Sequence, residues 1–278
     1  MSYKIVVDSC CELPEEYKKN SRFQIVPLGL EVGDYVILDD ESFNQKEFLQ
    51  KVAAYPLCPK SSCPSPEKYR EAYHDDVDEV YVVTLSSHLS GSYNSAELGK
   101  NLYTEKYGAK KIHVVDSESA SCGETQLVEK ILECKEAELG FEETVEKVET
   151  FKRQMRTYFV LDNLETLRKN GRLSSVKALV ASTLNIKPVM VGNWGVIEQK
   201  GQAIGINKAL AKMADCIVSD VKNPAERMLM ITHCNCPERA EYMRSLMEKR
   251  ASYRDVLIMN TAGVSSMYAN DGGVIVTL

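Results

Sequence analysis

The residues with the most chemistry to offer in this sequence are hydroxyls gathered in turns. The segment Thr84-Leu-Ser-Ser-His-Leu-Ser-Gly-Ser-Tyr-Asn-Ser95 lies between a strand-like run and a helix-like one. A strand-to-helix turn of this kind collects hydroxyls and free backbone N–H groups in one place, and the positive end of the helix dipole favours an anion there. Ser86, Ser87, Gly91 and Ser92 are therefore candidates for a carboxylate or phosphate cradle. The same serines can equally cap the helix, and the segment alone leaves both readings open. A second hydroxyl-rich turn, Lys60-Ser-Ser-Cys-Pro-Ser-Pro66, adds Ser61 and Ser62. Pro64 and Pro66 remove donors and fix φ, so this stretch is neither regular helix nor central strand, and Ser65-Pro66 has the form of a helix start.

Other chemistries find less support. A serine hydrolase is expected to show a G-x-S-x-G elbow or a serine with an identifiable histidine and acid, and neither motif occurs, although His88 stands beside the serines. There is no G-x-x-x-x-G-K-[ST] loop for a nucleoside triphosphate and no G-x-G-x-x-G after the first strand for a dinucleotide. Asp8, Asp116 and Asp162 each end a strand-like run; they fit either a carboxylate cluster or ordinary turn residues. The nine cysteines form three local clusters, Cys10-Cys11, Cys58 with Cys63, and His233-Cys234-Asn235-Cys236. None has the C-x-x-C or H-x-x-x-H spacing of a zinc site, so reduced thiols and no metal are expected.

The elements that must position these residues alternate between apolar β-branched runs and amphipathic stretches, the pattern of an α/β protein. Strands are expected over 4–7, 79–85, 111–115, 228–232 and 256–259, with helices over 92–107, 121–139 and 237–249. Open α/β sheets bind ligands at the carboxyl ends of their strands, so Asp8-Ser9, Ser86-Ser87 and Asp116-Ser117 should lie along one edge. In the second half a strand is expected over 156–161, helices over 163–169, 174–184 and about 208–221, and a glycine-interrupted segment over 188–197. A boundary near residue 155 divides the chain into an N-terminal α/β domain, 1–155, and a C-terminal one, 156–278.

The chain has 278 residues, with 44% hydrophobic residues and 27% charged ones, enough to bury a substantial core. Its formal charge of −6 gives no global basic field for a polyanion, which argues against nucleic acid and for a small ligand or a protein partner. The start MSYKIVVDSC has a strand and an Asp where a signal peptide needs a basic region and a long apolar core, so a cytoplasmic location is expected. The longest stretch free of charged residues, 80–96, holds five serines and cannot span a membrane.

Taken in order, several segments resemble the DegV family of bacterial lipid-binding proteins. Val7-Asp-Ser-Cys-Cys-Glu-Leu-Pro14 is similar to that family's D-S-T-x-x-L-P, and Ser61-Ser-Cys-Pro-Ser-Pro66 to its T-S-Q-P-S-P. The segments 85–96, 115–121, Leu164-Glu-Thr-Leu-Arg-Lys-Asn-Gly-Arg-Leu-Ser174 and Leu184-Asn-Ile-Lys-Pro-Val189 continue the match over nearly the whole chain. The resemblance implies two α/β domains, the first with a largely parallel sheet, and a long-chain fatty acid held between them. It implies a carboxylate at Ser61, Ser62, Ser86, Ser87, Gly91 and Ser92 and an alkyl chain in an apolar tunnel. Where the family usually has H-T-G-P-G, this chain reads Tyr268-Ala-Asn-Asp-Gly-Gly273, and Tyr268 can donate to the head group. Where it commonly has V-R-x-R-K-K-A, this chain reads Gly201-Gln-Ala-Ile-Gly-Ile-Asn-Lys-Ala209.

At about 0.8 kcal/mol per buried CH₂, a chain of ~16 carbons offers on the order of 10 kcal/mol before the costs of binding. The expectation is a carrier of fatty acid with no cofactor and no catalysis of its own. The alternative within the resemblance is a subunit that presents the acid to a separate fatty-acid kinase. The alternative of another class is a serine esterase using Ser87 or Ser92 with His88.

Overall fold

Runs such as Ile5-Val-Val7 and Val80-Tyr-Val-Val83 are apolar on both faces, as strands covered by helices on both sides must be. In the computed structural model, which describes residues 2–173 and 185–278, they form the middle of a four-stranded parallel sheet. Its order is Phe23–Val26, Tyr3–Asp8, Glu79–Thr84, Lys111–Asp116. Alternation sends Ile5, Val7, Tyr81, Val83 and Val115 to a core shared with the helices Cys122–Glu136 and Phe141–Gln154. Val6, Val80, Val82, Ile112 and Val114 face the other way, against Tyr69, Tyr73, Ala96 and Tyr103 of the helices Pro66–Ala72 and Ser92–Tyr107.

A small antiparallel sheet, ordered Tyr35–Leu38, Gly29–Val32, Lys60–Ser62, is appended to this unit. Lys60–Ser62 is an edge strand, where the prolines that follow it do no harm.

The second unit is a six-stranded sheet ordered Val196–Ile204, Ile186–Asn193, Thr157–Val160, Val274–Thr277, Met228–His233, Asp255–Asn260. All its pairs are antiparallel except the last, Met228–His233 with Asp255–Asn260. One face, with Tyr158, Val160, Val191, Ile231 and Val276, packs on the helices Ile206–Asp220 and Pro237–Glu248. The opposite face turns toward the first unit. The chain is thus an α/β protein of two sheet-based units, and the helix Cys122–Glu136 lies between them. That helix hydrogen-bonds to the second sheet through Gln126 Nε2, which donates to Met228 O at 2.7 Å. Just before it, the Ser121 and Thr232 hydroxyls meet at 2.8 Å.

The expected strands and helices fall where the periodicity puts them, with ends shifted by one to three residues. The glycine-interrupted segment is a hairpin, Ile186–Asn193 with Val196–Ile204, turned at Trp194-Gly195. Both turn residues have positive φ, 48° and 80°, as a two-residue hairpin turn requires. The helix expected over 174–184 lies outside the described residues. No helix among the described residues is long and apolar enough to cross a membrane.

Candidate functional site

Three parallel strands end side by side, and their carboxyl ends do come together. Asp8 Oδ2 accepts from Leu85 N at 2.8 Å, and Asp116 Oδ1 accepts from Ser87 N at 3.0 Å. Ser117 N donates to Thr84 O at 3.2 Å. The strand-end aspartates are therefore turn organisers: Asp8 also accepts from Cys10 N, and Asp116 from Glu118 N. Asp162 instead forms ion pairs with Arg239 at 2.6 Å and Lys187 at 3.1 Å. No metal-binding group occurs among the described residues, and all nine cysteines are free.

Between this edge and the inward face of the six-stranded sheet lies a narrow, mostly apolar cavity. Its walls come from both units. Leu85, Leu89 and Ala120 belong to the first, while Phe159, Leu161, Ile197, Val264 and Ile275 belong to the second. Sparse polar groups on an apolar lining are what orient a small-molecule ligand.

One end of the cavity is polar. Ser61 and Tyr268, far apart in sequence, both line it, and their hydroxyls meet at 3.1 Å. Arg172 lines the same end; its Nε donates to Leu89 O at 3.1 Å and its Nη1 to Asn170 O. Leu89 and Tyr268 pack in the same apolar clusters, so the guanidinium, the phenol and the serine converge there.

The remaining candidate residues sit elsewhere. Ser62 is exposed and paired with Gly29. Ser87 spends its hydroxyl on Asp116. Ser86 is buried beneath the hairpin, where a Cβ on Gly195 would come 2.6 Å from its Oγ. Gly91 precedes the helix Ser92–Tyr107 and is exposed, and Ser92 is fully buried against Ser90. None of these five lines the cavity: Ser62 sits on an outer edge strand, and the turn uses the groups of the other four to hold its own shape. Ser90, from the same turn, does line it. Asp271 is exposed and bonded to Asn235.

The sequence reading assigns no role to Arg172. Its only signal is the Gly171-Arg172-Leu173-Ser174 string inside a segment quoted for resemblance. Nucleophilic chemistry is poorly served. His88 is exposed, no hydrogen bond joins its ring to Ser87 or Ser92 among the described residues, and burial holds the Cys10 thiol of the cavity wall well above its ordinary pKa.

Behind the wall sits a set of buried carboxyls. Burial raises Glu12 to about 7, against the opposing pull of the Ser121 and Ser265 hydroxyls and of Ala262 N. Asp39 is raised to about 6, again by burial, although it accepts from Gly263 N at 2.7 Å and Val264 N at 2.8 Å. These two acids of the first unit hold the amino end of the helix Gly263–Ala269, the element that carries Tyr268.

A sequence model of the family described as "Uncharacterised protein, DegV family" matches residues 2–277. A DegV domain-containing protein from Streptococcus pneumoniae is 34% identical, over 99% of this chain and 98% of its own length. Among solved structures, a DegV family protein from Ruminococcus gnavus, refined with vaccenic acid, superposes with a TM-score of 0.97 at 52% identity. That match covers 100% of this chain and 99% of the other. The Fatty Acid Kinase (Fak) B3 protein of Streptococcus pneumoniae, loaded with linoleic acid, gives a TM-score of 0.89 at 33% identity, over 100% and 99% of the two chains.

Proposed function

Because the chain belongs to the DegV family, we propose that its cavity holds a long-chain fatty acid non-covalently, carboxylate toward Ser61, Tyr268 and Arg172 and alkyl chain along Leu161 and Phe159. The observation that carries this reading is the pairing of Ser61 with Tyr268 across the two units at the mouth of an apolar cavity. A carboxylate leaves water only where donors replace its hydration, and two hydroxyls and a guanidinium supply them. The turn 84–92 then serves as a scaffold for the mouth through Leu89 and Ser90. We place the division between the units at 155/156, immediately before the strand Thr157–Val160 that supplies the tail wall. The solved relatives that hold vaccenic and linoleic acid support the ligand class.

Denaturing extraction of the purified protein followed by mass spectrometry tests the reading. About one long-chain acid per chain is expected, and a folded sample that releases none would sink it. The likeness to the Fatty Acid Kinase (Fak) B3 protein favours one further role, presentation of the bound acid to a separate kinase. Formation of acyl phosphate with the cognate kinase and ATP, dependent on this protein, checks that role.

A further inference from the structure

The cavity has a second end, and its chemistry differs from the first. Thr157, Phe159 and Leu161 alternate along one strand and line the cavity in that order. Leu161 packs in the cluster against Tyr268, at the polar mouth. Thr157 is four residues away, ~13 Å at strand spacing. There the Thr157 hydroxyl meets that of Ser119 at 2.5 Å, and Ser119 Oγ also reaches Ala120 O at 3.4 Å. Each hydroxyl proton therefore has an acceptor within the wall, so the pair asks nothing of a ligand and can stand against a methyl terminus. The wall is braced from behind, since a Cβ on Gly123 would lie 1.9 Å from Ser119 Oγ and 3.0 Å from Thr157 Oγ1.

Beyond the pair lies a second chamber with room for about one water, its lining polar, with Ser117, Lys152, Met155 and Trp194 in its wall. The two chambers share Glu118, Ser119, Thr157 and Gly192. Gly192 is paired with Thr157 in the sheet and sits on the same face, with no side chain to fill the gap. A Cβ there would meet Thr157 Cβ at an ordinary 3.7 Å, so a methyl would fit beside Thr157 and take up space at this end of the cavity.

Resting on the fatty-acid reading, we propose that the Ser119–Thr157 pair, with Gly192 beside it, is the stop that sets the length of acyl chain this protein accepts. The pair and Gly192 are specificity-determining positions; they take no part in holding the carboxylate.

The test measures affinities for a series of saturated acids from myristic to arachidic, for the delipidated full chain and two variants, with melting temperature as a check on folding. Ser119→Ala/Thr157→Ala lowers the wall, and its preferred acid should lengthen by about two carbons, a gain of roughly tenfold for the longest acids relative to the shortest. Gly192→Ala keeps the backbone unstrained and adds a methyl beside the stop, so the longest acids should lose roughly tenfold while the shorter ones are unchanged. A wild-type chain that binds acids, with both folded variants keeping its ranking, overturns the stop and leaves the carrier reading standing. A wild-type chain that binds no member of the series overturns both.

Discussion

A carboxylate moved from water into an apolar cavity is stable only where charged or polar donors face it, and the only described guanidinium lining this cavity belongs to Arg172. Hydrogen bonds to a charged group contribute about 1.5–3 kcal/mol, those between neutral groups about 1 kcal/mol. Arg172→Met and Tyr268→Phe should therefore each weaken acid binding by roughly ten- to a hundredfold, since both donate to a charged carboxylate. Affinity for the methyl ester of the same acid separates this from a packing defect, because the ester has no charge for Arg172 to meet. Equal losses for acid and ester would mean that the carboxylate lies elsewhere. Ser61 and Tyr268 were both readable as candidates from hydroxyl type and resemblance, but their meeting was not, since nothing local relates residues 61 and 268. Ser87 shows the opposite failure. Its type and position suit a ligand donor, yet Asp116, distant in sequence, takes its hydroxyl.

At the scale of elements, the site depends on how closely two helices pack behind the first turn. Gly99, within Ser92–Tyr107, lies against the backbone of Pro66–Ala72: a Cβ there would come 2.7 Å from Pro66 O and 2.8 Å from Tyr69 Cβ. Those contacts are too short for any side chain, so Gly99→Val must push the helices apart, at a cost of about 2–3 kcal/mol. Because Pro66–Ala72 starts five residues after Ser61, the same displacement should weaken acid binding. Urea unfolding reads the first effect and ligand titration the second; an unchanged urea midpoint would show that the helices separate freely. Long periodic elements such as the helix Ser92–Tyr107 were legible from sequence, as were three strands of the parallel sheet, whose apolar runs have one reading; its edge strand Phe23–Val26 was not. The small sheet of Gly29–Val32, Tyr35–Leu38 and Lys60–Ser62 was not, because strands of three or four residues with exposed Val36 and Leu38 give no clear alternation. The short strand Val274–Thr277, the bridge between Thr157–Val160 and Met228–His233, was missed for the same reason of length.

At the scale of the whole molecule, the two units are clasped by acids whose burial should appear in the pH dependence of stability. Glu12 titrates at about 7 against an ordinary 4.5, and Asp39 at about 6 against 3.8, both because burial disfavours the charged form. A carboxyl raised in the folded state binds its proton more tightly there than in the unfolded chain. Its contribution is complete below the unfolded value and is lost as pH rises through the folded one. Between pH ~5 and pH ~8, Glu12 alone should remove on the order of 3 kcal/mol. His233, buried and with its pKa lowered by burial, works in the opposite sense, losing stability as pH falls. The wild-type slope is thus a sum, and the difference from a variant isolates one part of it. Glu12→Gln keeps an oxygen for Ala262 N and has nothing to titrate. Its unfolding free energy should nearly match the wild type at pH ~5 and exceed it by about 2–3 kcal/mol at pH ~8, read by urea titration at the two values. Parallel pH profiles for variant and wild type would mean that Glu12 is hydrated in solution. Since Glu12 and Asp39 hold the helix that bears Tyr268, ionising them loosens the clasp next to the head-group site. A steeper fall of acid affinity above pH ~7 in the wild type than in Glu12→Gln is the functional counterpart of the same linkage.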